Sequence, residues 1–175
     1  MPAELSNPGW VSERAQAFIR TASTLERPWF LTAFFEAPHN PFDPPREFLD
    51  RYLDRLDEIP LPRYTPGELD DKPIFQRIDR DGVWGGGRGY YAYPAMTDRD
   101  HRMIRAAYWA LCDHIDFEIG RVLDLLRATG QADHTIIVFS SDHGELIGDH
   151  GFYFQGAYFY REMMRVPLLI AWPGH

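Results

Sequence analysis

Thr135-Ile136-Ile137-Val138-Phe139-Ser140-Ser141-Asp142-His143-Gly144-Glu145 joins an apolar, β-branched run to an abrupt polar turn. The run at 135–139 has the pattern of a strand buried on both faces of a sheet. In open α/β sheets, ligands sit just past the carboxyl ends of the strands. Asp142 and His143 fall there, and can present one carboxylate oxygen and one imidazole nitrogen to a single divalent cation. That donor pair suits Mn²⁺, Zn²⁺ or Mg²⁺, and suits Ca²⁺ less because it prefers an all-oxygen shell. Gly144 lets the backbone turn sharply or approach a ligand closely. The dipeptide alone fits better an aspartate that caps a following helix beside a surface histidine.

Working outward, Thr97-Asp98-Arg99-Asp100 has the form of a capping box, with Asp100 in place of the usual glutamate. A long helix is expected from there to about Thr129, stopped by Gly130. Ile104, Tyr108, Leu111, Ile115, Ile119, Val122 and Leu126 form its apolar stripe. Cys112 reads as a packing residue on this helix, and His114 and Asp116 as structural or exposed. Downstream, residues 166–172 form another strand-like run that Pro173-Gly174 ends. Near the N-terminus, Ser12 can cap a helix to about Ala22, with Ala15, Phe18, Ile19 and Ala22 turned to a sheet. WFLTAFF at 29–35 then reads as a central strand. A helix feeding a buried strand is half of a βαβ unit. The expected fold class is α/β, a mostly parallel central sheet flanked by helices, with strands at 29–35, 135–139 and 167–172.

The connections carry their own signals. Prolines at 38, 41, 44 and 45 stiffen the loop after residue 35 and can hold His39 in a fixed place. His39 is either a site residue or a loop histidine satisfied by a carbonyl. Residues 46–56 can form a short helix, with Phe48, Leu49, Tyr52 and Leu53 on one side. A long irregular insertion follows at about 57–96, broken by prolines at 60, 62, 66 and 73. Glu68, Asp70 and Asp71 within it read as a solvated face. GVWGGGRGYYAY at 82–93 lacks the Gly-Lys-Ser/Thr ending of a phosphate loop and reads as a lid or subunit contact. Past Asp142, the turn Gly148-Asp149-His150-Gly151 places His150 either behind a metal site or in a structural turn. The aromatic run 153–160 is expected at a pocket rim.

The chain has 175 residues, enough for one domain, and is 45% hydrophobic and 15% aromatic, which places it among globular proteins. A net charge of −8 without a basic block argues against nucleic acid or an anionic membrane as partner. Cys112 is the only cysteine, so no intrachain disulfide points to an oxidising compartment. No signal-peptide pattern opens the chain and no apolar run approaches bilayer length, so the location leans cytoplasmic.

Four ordered segments carry a family resemblance: SSDHGELIGDHG at 140–151, RVPLLIAWPG at 165–174, APHNPFDPP at 37–45 and YWALCDHIDFEIG at 108–120. Together they resemble the sulfatase family, within the alkaline phosphatase superfamily of metal-dependent sulfate and phosphate ester hydrolases. The form with His after Asp is most similar to the branch of phosphonate monoester hydrolases and choline-sulfatase-like enzymes. The resemblance implies one divalent metal ion (Mn²⁺, Ca²⁺, Mg²⁺ or Zn²⁺) on Asp142 and His143. It implies that His39 lies beside the substrate's anionic group as hydrogen-bond donor or proton relay. The family places an anion-gripping lysine thirteen residues after the metal-ligand aspartate; here that position is Gln155, which donates a hydrogen bond without a positive charge. Many sulfatases carry a second histidine where this chain has Glu36.

The family's nucleophile segment, Cys/Ser-x-Pro/Ala-x-Arg, and the paired acids of its first strand have no counterpart in this sequence. In family order both precede the helix at 12–22, so residues 1–175 are expected to be an internal or C-terminal part of a sulfatase catalytic domain. The implied function is metal-dependent hydrolysis of a small-molecule sulfate ester, or of a phosphonate or phosphate ester, within that larger domain. The chain by itself is expected to be inactive, with open sheet edges that favour homo-oligomers. A phosphodiesterase or phosphatase relative is one alternative; a non-catalytic fragment or pseudoenzyme is the other.

Overall fold

The structure, a computed structural model, describes residues 2–81, 93–153 and 155–175. Its elements are α1 (Asn7–Ala22), α2 (Arg46–Leu53), α3 (Ile74–Arg80), α4 (Asp98–Ala128), β1 (Ile137–Ser140), α5 (Arg161–Met164) and β2 (Leu168–Ala171). They divide into two compact units: Met1–Asp54, Ala107–Phe139 and Leu169–His175, and Arg55–Ala106 with Ser140–Leu168.

In the first of these units, α1 starts five residues earlier than Ser12. Ser6 is its N-cap, accepting from the Gly9 amide at 3.2 Å, and a proline stands in the first turn. Asn7-Pro8 thus opens the helix, as proline's fixed φ suits a first turn. Ser12 is instead fully buried, donating to the Glu118 carbonyl at 3.2 Å and accepting from the Gln16 amide at 3.1 Å. Val11, Ala15, Ile19 and Ala22 form the buried stripe of α1. A second small core joins Ala3, Phe48 and Ala110, with Leu49 and Tyr52 of α2 packed against it, as the α2 pattern predicts.

α4 begins where the capping box puts it. Thr97 N donates to Asp100 Oδ2 at 2.8 Å, and Asp100 N donates back to Thr97 Oγ1 at 3.2 Å. Gly130 at φ +69 ends it. Its buried face includes Ala106, Ala107, Ala110, Leu111 and Leu126, and with them His101, His114 and Glu118. Cys112 is exposed rather than packed, because it falls on the opposite side of α4 from Leu111 and His114.

The sheet departs most from expectation. Among the described residues it has two strands, β1 beside β2. Residues 29–35 take no strand assignment, although Trp29 is fixed by its indole bond to Gln131 Oε1 at 3.1 Å and an edge contact with Phe18. Val138 is 60% exposed and all four residues of β2 are exposed. These runs have the composition of doubly buried strands, but nothing among the described residues covers their faces.

The other unit has its own core of Leu69, Leu146, Phe152, Tyr158 and Met163. The insertion at about 57–96 is more ordered than its prolines suggest: Leu69 is buried and α3 forms within it. Of its acids, Glu68 is not simply solvated; its Oε1 lies 3.6 Å from His150 Nδ1. The proposed lid at 82–93 lies outside the described residues except for Tyr93, which stacks on Tyr153. Among the described residues no helix is long and apolar enough to cross a membrane.

A candidate metal and anion site

The polar turn after β1 is held from below. Gly144 N donates to the Met163 carbonyl at 2.8 Å. A Cβ at Gly144 would stand 1.8 Å from the Glu162 carbonyl oxygen, so glycine is needed for close backbone approach and not for an unusual φ. Further on, Ile147 and His150 adopt positive φ of 39° and 58°. Such backbone costs about 1–3 kcal/mol per residue and persists only where its surroundings over-determine it. Here Asp149 does so. Its buried carboxylate accepts from the Arg63 amide at 2.9 Å, from Arg63 Nη2 at 2.8 Å and from Arg105 Nη1 at 3.1 Å. Burial pushes its pKa up, but those donors outweigh it and hold the carboxyl below its ordinary range. Arg63 also pairs with Glu162 at 2.7 Å, tying the turn to α5.

On this frame stand three of the four expected site residues. Asp142, His143 and Gln155 line one cavity of about 250 Å³, with Tyr158, Phe159, Met163 and Val166 as its apolar wall. Tyr158 and Met163 also belong to the core, so the wall is continuous with packed interior. Tyr158 donates to Asp79, and burial together with that carboxylate raises its pKa.

The donor geometry suits a cation. His143 Nδ1 lies 2.8 Å from the Gly144 carbonyl oxygen. A carbonyl only accepts, so Nδ1 carries the proton and the lone pair lies on Nε2. Metal-bound histidines are oriented in the same way by an outer carbonyl. Nε2 stands 3.9 Å from Asp142 Oδ2, a gap that two metal–ligand bonds of about 2.1 Å can bridge. Asp142 Oδ1 is steadied by the His143 amide at 3.0 Å. Among the described residues no group of three or more His, Cys, Asp or Glu stands together.

His39 belongs to the other unit. Its loop turns on the His39 amide donating to the Glu36 carbonyl at 3.1 Å, and both Ala37-Pro38 and Asn40-Pro41 are cis. Asn7, the first residue of α1, accepts from the Glu36 amide at 3.3 Å and so anchors the loop. The His39 Nδ1 lies 2.7 Å from the Asn40 carbonyl. His39 lines a cavity of about 170 Å³ with Asn7, Glu36, Asp43 and His114.

His150 sits in the structural turn, stacked on Tyr160 with ring centroids 4.0 Å apart and 3.4 Å from Glu162. The aromatic rim is half right: Tyr158 and Phe159 line the cavity, whereas Tyr153 is buried and bonded to His101. Missed entirely were Arg63 and Arg105, whose partner Asp149 lies 86 and 44 residues away. No local pattern signals an ion pair over that distance.

Comparison with known proteins places the chain in the alkaline phosphatase superfamily. The model of one family, Sulfatase, matches residues 11–175. The chain belongs to the sulfatase family. It is 36% identical to the choline-sulfatase of Rhizobium meliloti over 148 residues, 85% of this chain and 27% of the relative. It is 32% identical to the arylsulfatase of Clostridium perfringens over 166 residues, 95% of this chain and 32% of the relative. Among solved structures, phosphonate monoester hydrolase SpPMH from Silicibacter pomeroyi superposes with a TM-score of 0.83 at 28% identity, covering 99% of this chain and 34% of that one. The chain thus spans about a third of the length of the relatives it matches.

Proposed function

We propose that this chain supplies part of the active site of a metal-dependent hydrolase of sulfate or phosphonate esters. The observation that carries the reading is the gathering of Asp142, His143 and Gln155 around one cavity with an apolar wall. Asp142 Oδ2 and His143 Nε2 would hold the divalent ion, whose chemistry is to offset charge on the transferred group and lower the pKa of an attacking oxygen. Asp142 is kept in place by the His143 amide, and His143 by the Gly144 carbonyl. Gln155 donates its amide N–H to an anionic oxygen of the ester. Met163, Val166 and Phe159 offer the leaving alcohol an apolar wall. His39 contacts the substrate or hands a proton to the leaving group. The names of the relatives support both ester classes, a sulfatase for choline sulfate and a hydrolase for phosphonate monoesters.

The test uses residues 1–175 in solution with NMR observation of the His143 ring and the Gln155 side-chain amide. Sulfate or phenylphosphonate is expected to shift both signals when Mg²⁺ is present, and to leave them unmoved in Asp142→Ala. Neither anion moving them with Mg²⁺ present would sink the reading. Equal shifts in Asp142→Ala would remove Asp142 from the ligand set.

A further inference from the structure

Behind the His39 loop lies a histidine that no protein group satisfies. His114 is 0% exposed, and neither of its ring nitrogens has a hydrogen-bond partner among the described residues. A buried imidazole left so costs stability unless ordered water takes up its donor and its acceptor. Phe48 packs against the ring, with centroids 4.7 Å apart. One turn along α4, Glu118 is 1% exposed; its Oε1 lies 3.8 Å from His114 Nε2, and its Oε2 accepts from Arg121 Nη1 at 2.8 Å. A gap of 3.8 Å is too long for a hydrogen bond. In buried surroundings the field of a carboxylate still favours the proton on the nearer nitrogen. His114 Nε2 then carries the proton, and Nδ1 keeps the lone pair.

His114 also lines the cavity of about 170 Å³ that His39 lines. All residues around that cavity belong to one compact unit. Its walls are polar, with Asn7, Glu36 and Asp43 beside the two histidines. Polar cavities hold water, and at about 30 Å³ per molecule this one has room for several. An imidazole lone pair at the buried side is a fixed acceptor for that water. On the opposite side stands the loop, where the Asn40 carbonyl lies 2.7 Å from His39 Nδ1. One hydrogen bond fixes an edge of a ring; a second contact from the cavity fixes its plane.

We propose that His114 is a positioning residue for His39. Its Nδ1 anchors water in the shared cavity, and that water braces the His39 ring and its loop. Arg121 orients Glu118, Glu118 orients His114, and His114 orients the water. From the proposed function this takes only that His39 works at the substrate. It is read without substrate, so it can fail while that function stands.

The experiment is NMR of residues 1–175 with labelled histidine. Nitrogen shifts are expected to place the His114 proton on Nε2, and long-lived water to give Overhauser effects to both the His114 and the His39 ring. The order parameter of the His39 ring should be near 0.85, the value of rigid backbone. His114→Leu keeps the volume and removes the acceptor. It should drop the His39 order parameter below about 0.6 while the melting temperature stays at or above that of the wild type. His114→Asn, whose Oδ1 can accept in place of Nδ1, should restore the order of His39. A residue that served packing alone would show the reverse, a lower melting temperature in His114→Leu and an unmoved His39 ring. That result overturns the proposal. So does a His114 proton on Nδ1, or a His39 ring as ordered in His114→Leu as in the wild type. Absence of sulfate-induced shifts at His143 and Gln155 would count against the proposed function alone.

Discussion

Asp142 and His143 are each oriented by the backbone of a neighbour, Asp142 Oδ1 by the His143 amide and His143 Nδ1 by the Gly144 carbonyl, as the proposed ion site requires. Such preorganisation lowers the ordering cost of ligand binding. Gln155 is less well equipped. It shares their cavity but brings only a neutral dipole where the family resemblance puts a lysine. With Mg²⁺ present, Gln155→Lys should tighten sulfate binding to the chain about tenfold, the difference between a neutral and a charge-assisted hydrogen bond. Titration calorimetry would read it, and unchanged affinity would show that residue 155 does not reach the anion. Gly144 supports the pair from behind. Gly144→Ala sets a methyl into the Glu162 carbonyl, so the strand-to-turn corner must open and lose the bond to Met163. A loss of about 3 kcal/mol in urea unfolding is expected, with the metal pair displaced as well. A variant as stable as wild type would mean that the corner is soft.

At the scale of elements, α4 carries an unusual burden for one helix. His114 is fully buried on it with no hydrogen-bond partner for either ring nitrogen among the described residues. Its nearest charge is Glu118 Oε1 at 3.8 Å, whose other oxygen is held by Arg121 at 2.8 Å. Burial lowers the pKa of His114, outweighing the pull of Glu118, and burial does the same to His101. Both histidines therefore take up protons more readily when unfolded. Their neutral forms contribute stability in full above the ordinary histidine pKa of about 6.5, and that contribution is lost as pH falls from there toward the lowered folded values. Urea midpoints should accordingly drop between pH 7 and pH 5. His114→Leu should flatten part of that slope and raise stability at pH 7 by about 1 kcal/mol, since it removes two unsatisfied buried nitrogens at similar volume. An unchanged slope would mean that His114 takes no part in it. The helices themselves were largely legible in the sequence. Capping boxes, proline and glycine stops and three-to-four spacing act over a single turn, which is why α2 and α4 fell where expected. The start of α1 slipped because Ser6 and Ser12 both make plausible caps, and only burial of Ser12 against Glu118 decides between them. The strands were legible as runs but not as a sheet, because pairing and burial depend on distant chain. The site shows the same split: the Asp142, His143 and Gln155 spacing could be read along the chain, whereas the Arg63–Asp149–Arg105 cluster that stiffens it could not.

For the whole molecule the decisive quantity is how much of a catalytic domain is present. Ester hydrolysis at a useful rate needs an activated nucleophile held in line with the leaving group. The one cysteine, Cys112, sits on the exposed side of α4 and does not line the Asp142 cavity. Among the described residues two protein ligands face the proposed ion, and no third His, Cys, Asp or Glu joins them. Water carried by an ion held at two points would be poorly positioned for attack. We therefore expect residues 1–175 alone, with Mn²⁺ added, to turn over p-nitrophenyl sulfate and p-nitrophenyl phenylphosphonate no faster than a chain carrying both Asp142→Ala and His143→Ala. Turnover clearly above that double variant would overthrow the expectation. It would place the nucleophile inside this chain, on a residue whose present surroundings read as structural. Loss of the signal in Cys112→Ser would then identify the thiol as its source, since Cys112 is placed in no other role in the reaction.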